Sequence, residues 1–269
     1  MMDLRPFAAG LLLAAGLAVP AEARTICTIV ADAASDAIIL EQGDCKTRVT
    51  PASTFKVPLA VMGYDSGFLE NAEEPVLPFM KGYPEWGGEN WRQPTTPKRW
   101  LEYSVVWYSQ RITEFLGYER LRDYAEAFDY GNADMTGDPG KNNSLERSWI
   151  ASSLKISPRE QVGFLRKLVN RELPVSAEAM DAAMEIVEGR DIADGWRAQG
   201  KTGMAYSQKP DGTRNYGRPW GWYVGWATRN DRTVVFARLM QDETKQETRV
   251  SLRARDGILA ELPSILARN

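Results

Sequence analysis

Strand-like runs stand near both ends of this 269-residue chain, with helical periodicity between them. Thr28-Ile29-Val30 and Ala37-Ile38-Ile39-Leu40 flank the polar turn Ala34-Ser35-Asp36 and predict an N-terminal hairpin. Far downstream, Trp196 to Gly203, Trp220 to Thr228 and Thr233 to Met240 read as strands. The last two are paired across Asn230-Asp231, and Lys209-Pro210-Asp211-Gly212 is a turn. Strands at both ends with helices between suggest one sheet built from both termini. The fold class expected is α/β (α+β): a central, mostly antiparallel sheet from N- and C-terminal strands, flanked by helices, with a largely helical subdomain.

The middle supplies the helices. Trp100 to Leu116 and Glu119 to Phe128 carry apolar residues at helical spacing. Pro158 to Asn170 opens on Ser157 with Glu160 three residues on, a capping box, and Ser176 to Glu188 is again capped by serine. A closing helix from Val250 to Leu266 is interrupted near Pro263. Residues 71–98, rich in Pro, Gly and Trp, predict a long surface excursion, and 131–143 a loop. No repeat or low-complexity linker appears.

Residues 1–23 read as a signal segment: Arg5, an apolar stretch from Phe7 to Val19, then Ala21-Glu22-Ala23 as a small-residue cleavage site. Pro20 and the short apolar run argue against a membrane anchor. Residues 24–269 are then a single exported domain. Its two cysteines, Cys27 and Cys45, follow the cleavage site closely and suit one disulfide across the hairpin, the alternative being two buried thiols.

Histidine is absent from the chain. Ser-His-Asp and Cys-His catalysis are therefore excluded, and zinc chemistry of the usual imidazole kind has no ligands, so no metal site is expected. A net charge of −3 without a basic run gives nucleic-acid binding little support. Any acyl transfer must move its protons with another base, and Ser53-Thr54-Phe55-Lys56 offers one. Three residues is close to one helical turn, which brings the hydroxyl and the amine to one face. An unprotonated lysine can deprotonate serine. The pattern is short and arises by chance in about half of chains this long. Ser152-Ser153-Leu154-Lys155 is a second copy, so the rest of the chain must decide.

Three short patterns follow in order: Tyr103-Ser104-Val105-Val106 in or at the start of a helix, Tyr130-Gly131-Asn132 in a loop, and Lys201-Thr202-Gly203 closing a strand. Each alone has a structural explanation. Together with Ser53-Thr54-Phe55-Lys56 they have the layout of penicillin-recognising serine enzymes, with Ser-Val-Val where class A members carry Ser-Asp-Asn. The chain resembles the class D β-lactamases, the oxacillinases. The likeness continues through Ser148-Trp149, Leu154 to Pro158, Gln161-Val162, Phe164 to Leu168, Glu172 to Ser176 and Gly221 to Trp226, nearly the whole of the chain after residue 23.

The resemblance implies the penicillin-recognising fold and a β-lactam as substrate. It implies Ser53 as nucleophile, Lys56 as general base carrying a CO₂-derived carbamate, Ser104 as the relay of a proton to the departing ring nitrogen, and Lys201 as the charge that keeps the local field positive. Val106, Thr202, Gly203 and Met204 become substrate contacts, the backbone N–H groups of Ser53 and Met204 an oxyanion hole, and Trp149 the donor that steadies the carbamate. Phe55, Val57, Val105 and Trp149 are the apolar groups expected around Lys56, since burial lowers a lysine pKa. An arginine after the last strand should hold the substrate carboxylate, Arg249 or its competitor Arg253. No cofactor beyond CO₂, no membrane after cleavage, a periplasmic location and a monomer or homodimer are expected. Met204 and the loop bearing Trp86 and Trp91 are the departures. The rival readings are a β-lactam sensor domain and a penicillin-binding protein that acylates without turnover.

Overall fold

The computed structural model describes residues 23–208, 213–244 and 246–268. Residues 1–22 of the expected signal segment and the expected turn at 209–212 lie outside the described residues. Strands β1 (Arg24–Asp32) and β2 (Ile38–Gly43) form the N-terminal hairpin, and the Cys27 and Cys45 sulfurs are bonded to one another. A 3₁₀ turn (Ala52–Phe55) runs directly into α1 (Lys56–Asp65). The helical part follows as α2 (Pro97–Glu102), α3 (Val106–Ala127), α4 (Ser144–Arg147), α5 (Pro158–Val169) and α6 (Ala177–Glu185). Strands β3 (Gly189–Asp191), β4 (Arg197–Gln208), β5 (Arg214–Arg229) and β6 (Arg232–Gln241) precede α7 (Val250–Ala267).

Both ends of the chain do share one antiparallel sheet, in the order β2-β1-β6-β5-β4-β3. It is buried on both faces. In β6, Val235, Ala237 and Leu239 join the larger core beneath the helical part, while Val234 and Phe236 join a second core under α7. The central strands therefore read as continuous apolar runs rather than as alternation. Helix α7 lays Ala254, Ile258, Leu262 and Leu266 on that second core, at the four-residue spacing of one helix face. Gly221 of β5 allows its close approach: a Cβ there would lie 2.6 Å from the Ser251 nitrogen.

Several boundaries differ from expectation. The helix expected over Trp100–Leu116 is broken at Tyr103-Ser104-Val105, where Ser104 takes a left-handed backbone (φ 57°). Indoles hold this elbow: Trp91 Nε1 donates to the Tyr103 carbonyl at 2.9 Å, and Trp107 Nε1 to the Trp91 carbonyl at 2.7 Å. Residues 71–98 are thus anchored through Trp91 (5% exposed), while Trp86 stands out at 65% exposed. The helix expected over Ser176–Glu188 stops at Glu185, and β3 follows. The strand expected to close at Gly203 continues to Gln208, placing Lys201-Thr202-Gly203 mid-strand. Helix α7 runs through Pro263 without interruption, its apolar stripe continuing to Leu266. Pro58 is the third residue of α1, in the first turn, the part of a helix where proline is best tolerated.

Candidate active site

The 3₁₀ turn opens on Ala52 at φ 51°, a conformation costly for a residue with a Cβ, and presents Ser53 half-buried. Lys56 begins α1, and its Nζ donates to Ser53 Oγ at 3.4 Å. The lysine is 1% exposed. Burial, reinforced by the positive charge of Lys201, pushes its amine well below the ordinary lysine range, so the neutral, proton-accepting form is favoured. Phe55 lies between Tyr130 (5.6 Å) and Trp149 (5.5 Å), and Val57 and Val105 are buried in the same core.

A polar network that sequence reasoning assigned no role fixes this turn. Thr54 Oγ1 donates to the Pro51 carbonyl at 2.8 Å and accepts from Gln161 Nε2 at 2.9 Å. Thr50 ties the sheet to Trp149: its Oγ1 donates to the Trp149 carbonyl at 3.0 Å, and its own carbonyl accepts from Trp222 Nε1 at 2.9 Å. Thr54 and Gln161 are 107 residues apart in the chain, and no local pattern marks such a pair.

Strand β4 supplies the facing wall. A Cβ on Gly203 would lie 2.8 Å from the Pro51 carbonyl oxygen and 3.1 Å from the Thr54 nitrogen, so this glycine lets the strand run directly against the nucleophile turn. Lys201 is 6% exposed, and burial depresses its amine to about 8. Short β3 pairs with β4 only through Gln199, leaving the β4 edge open from Lys201 onward on the side away from β5. Ser104, Lys201, Thr202 and Arg249 line one cavity of about 370 Å³. The Ser104 hydroxyl is buried with no hydrogen-bond partner, on a strained backbone. A hydroxyl left without a partner costs stability, so its position is not explained by folding.

Ser53, Lys56, Val106, Met204 and Trp149 lie outside that cavity's wall. Val106 is the buried first residue of α3, and Met204 is half-buried in register with Gly221. Of the two competing arginines, Arg253 is paired with the buried carboxylate of Asp242 and also donates to the Thr248 carbonyl. Arg249 lines the cavity and has no salt bridge among the described residues. The second Ser-x-x-Lys is not helical: Ser153 donates to the Asp134 carbonyl at 2.7 Å, and Lys155 is exposed. Tyr130-Gly131-Asn132 clamps that segment, with Asn132 Oδ1 accepting from the Lys155 N–H at 2.9 Å. It is a structural element in this chain.

Residues 26–262 match the family of the penicillin binding protein transpeptidase domain. The chain is 42% identical over 240 residues to β-lactamase OXA-9 of Klebsiella pneumoniae, covering 89% of this chain and 88% of that one. To β-lactamase OXA-1 of Escherichia coli it is 33% identical over 242 residues, covering 89% and 84%. Among solved structures, that of the OXA-427 class D β-lactamase superposes with a TM-score of 0.84 at 45% identity, covering 90% of this chain and 98% of that one. With the fold, the Ser53–Lys56 contact and the open β4 edge in agreement, the chain belongs to the class D β-lactamase family.

Proposed function

We propose that this protein hydrolyses the β-lactam ring of penicillin-type antibiotics through a Ser53 acyl-enzyme and so confers resistance. The observation that carries the reading is the bond from a buried, neutral-favoured lysine to the serine three residues before it, in a chain without histidine.

Lys56 takes the Ser53 proton as Oγ attacks the lactam carbonyl. The Ser53 N–H lies in the first turn of the 3₁₀ segment, where such groups lack an intrahelical partner. With the Met204 N–H it would hold the developing oxyanion, each donor worth about 3–4 kcal/mol. The carbon–nitrogen bond then breaks: Ser104, with charged Lys201 beside it, gives its hydroxyl proton to the leaving ring nitrogen and takes up in exchange the proton that Lys56 removed from Ser53, so that Lys56 is again free to accept one. Lys56 next deprotonates a water that attacks the ester, releasing the product acid and restoring the Ser53 hydroxyl. Thr202 and Arg249 hold the substrate carboxylate, and Val106, Gly203 and Met204 border the scissile bond.

The Lys56 environment fits a carboxyl group derived from CO₂. The side chain is buried, burial favours its neutral amine, and the Lys201 charge acts on it. The Trp149 indole would hold that group, which when present supplies a stronger proton acceptor than the free amine. No described helix is long and apolar enough to cross a membrane, and the apolar segment at residues 7–19 supports export to the periplasm. The deciding experiment mixes enzyme with excess penicillin and follows product beyond one equivalent. Continued turnover supports the hydrolase. A single stoichiometric burst would identify a sensor or transpeptidase instead.

A further inference from the structure

The cavity beside Ser104 and Lys201 extends past the β4 edge onto the α7 side of the sheet, where the mechanism above uses no residue beyond Thr202 and Arg249. Its wall carries four cations, Lys201, Arg190, Arg249 and Arg255, against two carboxylates, Glu102 and Glu188. The order along β4 gives this extension a direction. Gly203 abuts the nucleophile turn, Thr202 and Lys201 follow, and Gly200 is the last cavity-lining position before β3 covers the edge. With the scissile carbonyl at Ser53 and the ring carboxylate at Thr202 and Arg249, the space beyond Gly200 lies past the carboxylate, on the side away from the reacting bond.

That space has a constructed floor. A Cβ on Gly200 would lie 2.9 Å from the Tyr223 hydroxyl, so the glycine admits the phenol to the cavity. Arg190 enters from β3, in register with Ala198. Arg249, the N-cap of α7, and Leu252 and Arg255 within it share the cavity flank, while Val250, Ala254 and Ile258 face the sheet. Arg255 is tied through Nε to Asp256 at 2.8 Å, a bond that leaves its two Nη groups for a further acceptor. Arg190 bonds Glu188, but both residues are exposed, and such a pair is readily exchanged for a ligand anion. Burial is what chiefly raises the Tyr223 phenol; the charges of Arg190 and Arg255 act on it in the opposite sense, and those of Glu188 and Asp256 in the same sense as burial, which places all four side chains around it.

We propose that Arg190 and Arg255, flanking the Tyr223 hydroxyl, form a second anion subsite of the cleft, taking an acidic group that the substrate carries beyond its ring carboxylate. The substrate class is a dianionic β-lactam, such as a cephalosporin with an acidic substituent on the carboxylate-bearing ring. This assignment rests on the β-lactam reading of the same cleft.

The test uses two cephalosporins with the same acyl side chain, one bearing a neutral and one an acidic ring substituent. The ratio of their kcat/KM values, acidic over neutral, is measured for the wild type, Arg255→Gln and Arg190→Gln. The ratio should fall about five- to tenfold in Arg255→Gln and less in the more exposed Arg190→Gln, mainly through KM. In the wild type it should shrink as salt screens the pair. The rate of Ser53 acylation, followed by intact mass, gives the same ratio without relying on turnover. A ratio unchanged in both variants while both compounds are consumed overturns the subsite and leaves the hydrolase reading standing. Acylation without turnover, with the ratio still falling, overturns the hydrolase reading and leaves the subsite. Absence of acylation by either compound overturns both.

Discussion

At the scale of single residues, the site is a set of unfavourable placements that only chemistry explains. Lys56 is held in a core where its charged form is penalised, so its protonation on acidification should stop catalysis. The acid limb of kcat/KM should lie well below the ordinary lysine pKa, because the amine is depressed by burial and by Lys201. Added bicarbonate should restore part of the activity lost on that limb by recharging Lys56 with CO₂. Indifference to bicarbonate would count against the CO₂-derived group. Ser104 makes a separate case, since its backbone is left-handed and its hydroxyl unpaired. Ser104→Gly should stabilise the protein by about 1 kcal/mol, because glycine accepts that φ without a Cβ clash. The same change should slow acylation on the order of 100-fold if the hydroxyl is the proton relay proposed above. Denaturant melts and burst kinetics on one variant read both outcomes, and parallel losses of stability and rate would make Ser104 merely structural.

At the scale of elements, the nucleophile turn and β4 are one unit joined at Gly203. A Cβ there meets the Pro51 carbonyl at 2.8 Å and the Thr54 nitrogen at 3.1 Å, both backbone atoms that cannot swing aside. Gly203→Ala should cost about 1–3 kcal/mol as the two elements separate. Activity should fall by more than the stability loss suggests, since a displacement of about 1 Å at a reacting centre costs on the order of 100-fold. A variant with wild-type kcat/KM would show that the contact does not set the geometry. The sequence carried the elements whose signals are local: the N-terminal hairpin, the Ser157 capping box and the β5–β6 hairpin all stand where apolar runs, polar turns and caps predict. It misplaced those set by distant partners. The break at Ser104 is imposed by Trp91, which is brought against Tyr103 from another segment, and the continuation of β4 to Gln208 depends on β5 alongside it. The motif residues themselves were legible, because Ser53 and Lys56 interact within one turn. The Thr54–Gln161 brace and the Arg255 flank arise only when α5 and α7 dock, and so carried no local mark.

At the scale of the whole molecule, the cleft is a store of electrostatic cost offset by the two apolar cores on either face of the sheet. Lys201 shows it in a measurable form. Its folded amine titrates at about 8, against 10.5 for an unperturbed lysine. Between those values the unfolded chain binds the extra proton, so folding stability rises with pH across that window. Below about 8 both states are protonated at this site and the full penalty applies. Lys201→Met removes the buried charge while keeping an unbranched chain of similar reach. In CO₂-depleted buffer at pH 7 the variant should melt at a higher temperature than the wild type, and the gap should narrow as pH approaches 9.5. Measurement stops there because unfolded tyrosines begin to ionise near 10, which opposes the trend. β-Lactam turnover should be lost at every pH, since the variant cannot hold a positive charge beside Ser104. A gap independent of pH would mean that packing, not the desolvated amine, sets the difference. A gap that narrows without any recovery of turnover would show stability exchanged for function at one residue, the expected pattern where a catalytic group is held against its own solvation.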